Sequence, residues 1–266
     1  MKKRVISAIV MLAIAIPITI IGGVPFTIAA LILGLIALKE MLDIRETKKS
    51  FPFLVKFLSY IIITVLILNN NGSTIFEYLL DYKIIALTLF AMLIPLVIFH
   101  DNKKYNINDA MFLTGTIFFL GTAFNLIILI RNYDLLYLLF LVLITTLTDT
   151  FAYITGYYIG KTKLLEKISP KKTWEGVLGG TFFGVLISSI FYYQVIGTNV
   201  GAFYLAVIVT CLSLLGQVGD LVFSSIKRYY NKKDFSNIIP GHGGILDRFD
   251  SLIFVLLGFV LVVTLL

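Results

Sequence analysis

Residues 224–250 read SSIKRYYNKKDFSNIIPGHGGILDRFD. The segment is dense in charge and hydrogen-bonding groups, yet apolar runs lie on both sides of it. A helix needs about 20 apolar residues to cross the hydrocarbon core at about 1.5 Å rise per residue. Polar residues wedged between such runs mark a membrane boundary, where charge is tolerated only beside water, a partner or a metal. The wider composition agrees. The chain of 266 residues is 59% apolar and 14% charged, against about 25% charged in soluble domains. Its mean hydropathy is +0.97. The class is an all-α, polytopic transmembrane helical protein.

The apolar runs predict nine spans, at 5–22, 25–41, 53–69, 83–99, 110–130, 135–159, 176–196, 201–223 and 249–266. Lys2, Lys3 and Arg4 followed by an apolar run resemble a secretory leader. The run is long, lacks a small-x-small site and is followed by further spans, so it reads as the first transmembrane helix. With a cytoplasmic N-terminus, nineteen Lys and Arg residues fall on inner segments and two, Lys83 and Arg131, on outer ones, while Lys56 near the inner end of the third span can snorkel inward. That bias supports an odd number of spans and puts loops 160–175 and 224–248 on the cytoplasmic face. No linker or repeat divides the chain. It reads as one integral membrane domain, 1–266, with 1–134 serving packing or dimerisation and 135–266 carrying the chemistry. The net charge of +7 reflects topology and attraction to anionic lipid rather than nucleic acid. A single cysteine, Cys211, excludes a disulfide framework and reads as a small buried hydrophobe.

Asp220, Ser224 and Lys227 are spaced i, i+4, i+7 and share a face if their helix continues through them. Asp247 and Asp250 share a face at the start of the last span and gain modestly from the helix dipole. Carboxylates from Asp220, Asp247 and Asp250 converging at one boundary would repel unless a cation sat among them. Mg²⁺ suits such oxygens and keeps substrate phosphates as further ligands. Lys227, Arg228 and Arg248 would then neutralise phosphate oxygens. Pro240 to Gly244 form a flexible turn in which the Gly243 and Gly244 amides can approach an anion. His242 serves as a phosphate donor, an acid–base group or a turn residue. Asp149 lies within the sixth span and needs a polar cavity or a partner. The segment Ser169 to Gly176 adds Lys171 and Lys172 beside Trp174. Gly156 and Gly160, and Gly176, Gly180 and Gly184, form small-residue stripes that permit close helix packing.

Residues 224–250 resemble the signature of the phosphatidate cytidylyltransferase (CDP-diacylglycerol synthase) family. The likeness runs through Ser224, Lys227, Arg228, Lys233, Asp234, Ser236, Pro240, His242, Gly243, Gly244, Asp247, Arg248 and Asp250. Asp149 through Gly176 is similar to the family's upstream region, whereas the N-terminal half matches only in hydropathy. The resemblance implies transfer of a cytidylyl group from CTP to phosphatidic acid, giving CDP-diacylglycerol and pyrophosphate. It also implies a requirement for Mg²⁺, with a pair of ions near Asp220, Asp247 and Asp250, and a homodimer in the cytoplasmic membrane. In that chemistry Lys227 and Arg228 would hold the triphosphate and Ser224 would orient it. Lys171 and Lys172 would draw in an anionic substrate. Two other readings remain open at this point: a CTP-dependent polyprenol kinase, and a secondary transporter using Asp149 and Asp220.

Overall fold

An apolar chain in lipid must satisfy its backbone internally, and helices do so within one segment. The computed structural model describes residues 2–69, 82–100, 103–197 and 200–262. Within them the chain forms nine α-helices: α1 Lys2–Ile21, α2 Gly23–Glu46, α3 Phe53–Ile67, α4 Tyr82–Ile98, α5 Ile107–Tyr133, α6 Leu135–Tyr158, α7 Trp174–Phe191, α8 Ala202–Tyr229 and α9 Leu246–Val262. A π-helical turn, Tyr192–Ile196, extends α7. Five helices, namely α2, α5, α6, α7 with its π turn, and α8, are long and apolar enough to cross a membrane. The expected spans fall on these nine helices. Several helices overrun their apolar windows; α2 continues to Glu46, α5 starts at Ile107, α8 continues to Tyr229 and α9 starts at Leu246. Residues 263–266 of the last expected span lie outside the described residues. Cys211, expected to be buried, is exposed on α8. A lipid-facing helix surface is itself apolar, so a hydrophobic residue there has no reason to turn inward.

The chain divides into two compact units, one of residues 1–133 with 234–246, the other of 134–233 with 247–266. In the first, polar side chains close helix ends. Asn125 donates through Nδ2 to the carbonyls of Ile67 (2.9 Å) and Asn69 (2.7 Å), satisfying the end of α3. Arg131 donates to the Thr19 and Ile20 carbonyls at 2.5 and 2.8 Å, closing α1. Asn106 and Asp109 cap the start of α5 reciprocally, each accepting the other's backbone N–H, at 3.0 and 3.1 Å. Asp109 is fully buried and pairs with Arg45 and with Lys49, the latter at 2.7 Å. Tyr105 donates to the Met92 carbonyl at 2.9 Å. Burial, with the Asp109 charge adding, pushes its phenol well above the ordinary value.

In the second unit, α6 and α7 approach closely along the expected glycine stripe. A Cβ on Gly176 would stand 2.8 Å from the Ala152 carbonyl oxygen. On Gly180 it would stand 2.6 Å from the Thr148 carbonyl oxygen and 2.7 Å from the Ala152 Cβ. Close backbone approach of this kind supplies dispersion contact where lipid offers no hydrophobic drive. Polar side chains thread the same helices. Thr148 and Ser213 hydroxyls meet at 2.9 Å, and Gln217 donates to Thr181 at 2.9 Å.

Loop 160–175 contains a hairpin that hydropathy did not foretell, β1 Lys163–Leu165 and β2 Ser169–Thr173, antiparallel with Lys163 opposite Thr173. Thr173 then caps α7, accepting the Gly176 N–H at 3.1 Å.

Gly180→Val forces a side chain onto backbone atoms of α6 that cannot rotate away. It should lower stability by about 1–3 kcal/mol, read as thermal unfolding in detergent. Gly115→Ala, which meets nothing within 4 Å, should be neutral or slightly stabilising. A Gly180→Val protein as stable as the parent would contradict the packing.

Candidate active site

The C-terminal end of α8 sets out the first chemical groups. The helix does continue through Asp220, Ser224 and Lys227, placing them on one face. It ends in a left-handed turn at Asn231, with φ of 54°. The Lys232 N–H reaches back to the Lys227 carbonyl at 2.8 Å and the Asn231 N–H to that of Arg228 at 3.0 Å. These two bonds are the pattern that terminates a helix with a residue in the left-handed region. The stop holds Lys227 in the last turn, where a cation also complements the helix dipole.

Two lysine–aspartate pairs follow. Lys227 Nζ meets Asp247 Oδ1 at 2.6 Å, with side chains only 9% and 4% exposed. Lys172 Nζ meets Asp220 Oδ2 at 2.7 Å and also donates to the Gln217 carbonyl at 3.3 Å. Ser224 donates to Asp220 Oδ1 at 3.2 Å. Alternation along β2 explains why one lysine of the Lys171–Lys172 pair reaches this face: successive side chains of a strand point opposite ways. Lys172 is half-buried against Asp220, whereas Lys171 is exposed.

Asp149 and Asp250 complete the group. Asp149 interacts electrostatically with Asp220 and Lys172 and lies near the Ser251 side chain. Asp250 interacts with Asp220, Lys227 and Asp149, and accepts the Ser251 N–H at 2.8 Å. Asp149, Asp220 and Asp250 therefore lie within electrostatic reach of one another. Of the expected trio Asp220, Asp247 and Asp250, Asp247 also pairs with Lys227, and Asp149 of α6 stands with Asp220 and Asp250. Among the described residues, no three His, Cys, Asp or Glu side chains close into a ready-made cage for an ion.

Arg228, expected to hold phosphate oxygens, lies in the last turn of α8. Its guanidinium donates to the Ile168 carbonyl at 3.3 Å and the Lys232 carbonyl at 2.9 Å. It ties the hairpin turn to the end of α8 while remaining exposed. Arg248 is exposed in the first turn of α9.

His242, Gly243 and Gly244 fold with the first unit. A tight turn is closed by Ile239 N–H to the Gly243 carbonyl and His242 N–H to that of Ile239, both at 2.9 Å. Gly241 and Gly243 take φ of 80° and 83°, values that side chains other than hydrogen rarely allow. The Ser7 hydroxyl of α1 donates to the Pro240 carbonyl at 3.0 Å and lies 2.9 Å from His242 Nδ1.

One residue that sequence reasoning passed over stands out. Glu40 of α2 is 1% exposed and binds the 236–246 segment. The available signal was an acidic side chain inside a predicted span, which ordinarily marks function or a specific partner.

Charged groups gathered at the ends of apolar helices are what the sequence comparisons must account for. A sequence model described as the cytidylyltransferase family matches residues 2–266. The chain is 38% identical over 257 residues to a phosphatidate cytidylyltransferase of Staphylococcus aureus (strain COL), covering 96% of each. It is 38% identical to one of Staphylococcus epidermidis (strain ATCC 12228 / FDA PCI 1200) and 37% identical to one of Staphylococcus saprophyticus, again over 96% of each chain. The aspartates and lysines of α8, α9 and β2 thus sit in a chain matched along almost its whole length, and this membrane protein belongs to the cytidylyltransferase family.

Proposed function

We propose that this chain is a phosphatidate cytidylyltransferase, condensing CTP with phosphatidic acid to CDP-diacylglycerol and pyrophosphate. The observation that carries the reading is the joint arrangement of Asp149, Asp220 and Asp250 with Lys172 and Lys227. It combines hard oxygen donors with ammonium groups at one end of apolar helices. Family membership and the named relatives support the substrate pair.

The substrate phosphate is itself the nucleophile, so no protein nucleophile is required. An oxygen of the lipid phosphate attacks the α-phosphorus of CTP, and the bond to the departing pyrophosphate breaks. Both reactants are anions, so charge repulsion and misalignment are the main barriers, and positioning with electrostatic stabilisation lowers them. Lys172, held by Asp220 and the Gln217 carbonyl, presents a fixed positive charge to an incoming phosphate. Lys227 does the same from its pair with Asp247. The buried pair also has a structural share, because removing one partner of such a pair costs about 3–5 kcal/mol.

The donor set fits a divalent cation. Mg²⁺ is usually held by one or two carboxylates with water and substrate phosphates completing its shell, and an acid group that is not closed into a cage leaves room for them. Asp149, Asp220 and Asp250 would hold such ions, a pair of them by the family resemblance. When bound, the metal would neutralise phosphate oxygens and stabilise developing charge. The charge bias along the sequence supports a cytoplasmic N-terminus and a site facing the cytoplasm in the cell membrane. A homodimer is the assembly the family resemblance implies.

Purified protein given labelled CTP and phosphatidic acid should form CDP-diacylglycerol and pyrophosphate in equal amounts. CDP with a lipid monophosphate would indicate a kinase instead. Excess EDTA should halt turnover and added Mg²⁺ restore it, whereas turnover unchanged in chelator would remove divalent ions from the reaction. Asp250→Asn should cut kcat by about 100-fold or more without changing the unfolding temperature by more than a few degrees. Near-parental activity in that variant would remove Asp250 from the site.

A further inference from the structure

Glu40 makes a set of long-range hydrogen bonds that the proposed chemistry does not use. Its Oε1 accepts from the Ser236 hydroxyl at 2.6 Å and the Ile245 N–H at 2.9 Å. Its Oε2 accepts from the Leu246 N–H at 2.8 Å. A Cβ on Gly244 would fall on the carboxylate itself, so glycine there lets the backbone come this close. The Ile245 and Leu246 amides stand at the start of α9, where the first N–H groups of a helix have no partner of their own. A side chain within the segment ordinarily caps such a start. Here the acceptor comes from α2, and its negative charge also complements the positive end of the α9 dipole.

We propose that Glu40 is a positioning residue for cytidylyl transfer: it caps α9 from α2 and thereby fixes the turn from which Asp247 and Asp250 project. The proposal rests on the activity given above. Glu40 touches neither reactant in this scheme and acts through the helix start alone. An amide in its place can accept at one atom only. The other becomes an NH₂ group facing a backbone or hydroxyl donor, so Glu40→Gln removes at least one of the three bonds and sets donor against donor.

The test compares full-length Glu40→Gln and Glu40→Asp with the parent in detergent, by hydrogen exchange and by steady-state kinetics. In Glu40→Gln the amides of residues 244–247 should exchange about tenfold faster or more, with protection in α5 and α6 unchanged. The kcat should fall roughly 10- to 100-fold, with KM for phosphatidate within about threefold of the parent. Glu40→Asp keeps the charge on a shorter stem and should recover part of kcat. Unchanged exchange at 244–247 would overturn the cap, and kcat within about twofold of the parent in a folded Glu40→Gln protein would overturn the positioning role. Exchange raised throughout the molecule, with activity lost in proportion to folded protein, would make Glu40 a general structural residue and overturn it as well. If parental protein formed no CDP-lipid at all, the activity reading would fail, and the exchange measurement would still decide whether Glu40 caps α9.

Discussion

Lys227 and Asp247 meet at 2.6 Å with both side chains nearly withdrawn from solvent. A lone charge so placed would be expensive, and each makes the other tolerable. The pair joins the last turn of α8 to the first turn of α9. Much follows from it. It brings Asp247, three residues before Asp250, onto the face of α8 that also carries Asp220 and Ser224, and a second lysine, Lys172, balances Asp220. Packed aliphatic groups of similar volume often serve stability as well as such a pair does, so the charges matter here chiefly for what anionic substrates need.

The helices can hold these groups because they are themselves held without hydrophobic drive. The glycines of α7 let α6 come within backbone contact. Hydroxyls and amides of Thr148, Ser213, Thr181 and Gln217 match one another between α6, α7 and α8. Thr148, Ser213, Thr181 and Gln217 can lie among apolar helices because each of them has a hydrogen-bond partner in the others. The same device serves the first unit, where Asn125 and Arg131 satisfy helix ends.

What could be read from the chain follows from how far each interaction reaches along it. Asp220, Ser224 and Lys227 were legible because helical periodicity alone aligns them. The glycine stripe was legible because repeats of four are local. Asp247 was assigned beside Asp220 and Asp250, yet it pairs with Lys227, twenty residues earlier; the choice of partner depends on how two helices meet, which no local pattern encodes. Asp149 joins the acids through the same kind of meeting, from α6. Lys172 was separated from Lys171 only by the alternation of a two-stranded hairpin that lies hidden in a polar loop. Cys211 was misjudged because apolar character means burial in water and exposure in lipid.

The contacts of Glu40 also have a consequence for how the chain is made. Its carboxylate lies 196 residues before Ser236 and 206 before Leu246. At roughly 5–20 residues per second, a ribosome delivers Glu40 on the order of 10–40 s before those donors exist. During nascent insertion α2 must therefore carry an acid whose permanent partners have not been synthesised. In that interval it has to be hydrated or shielded by something else, and the first unit reaches its final form only when residues 234–246 return to it.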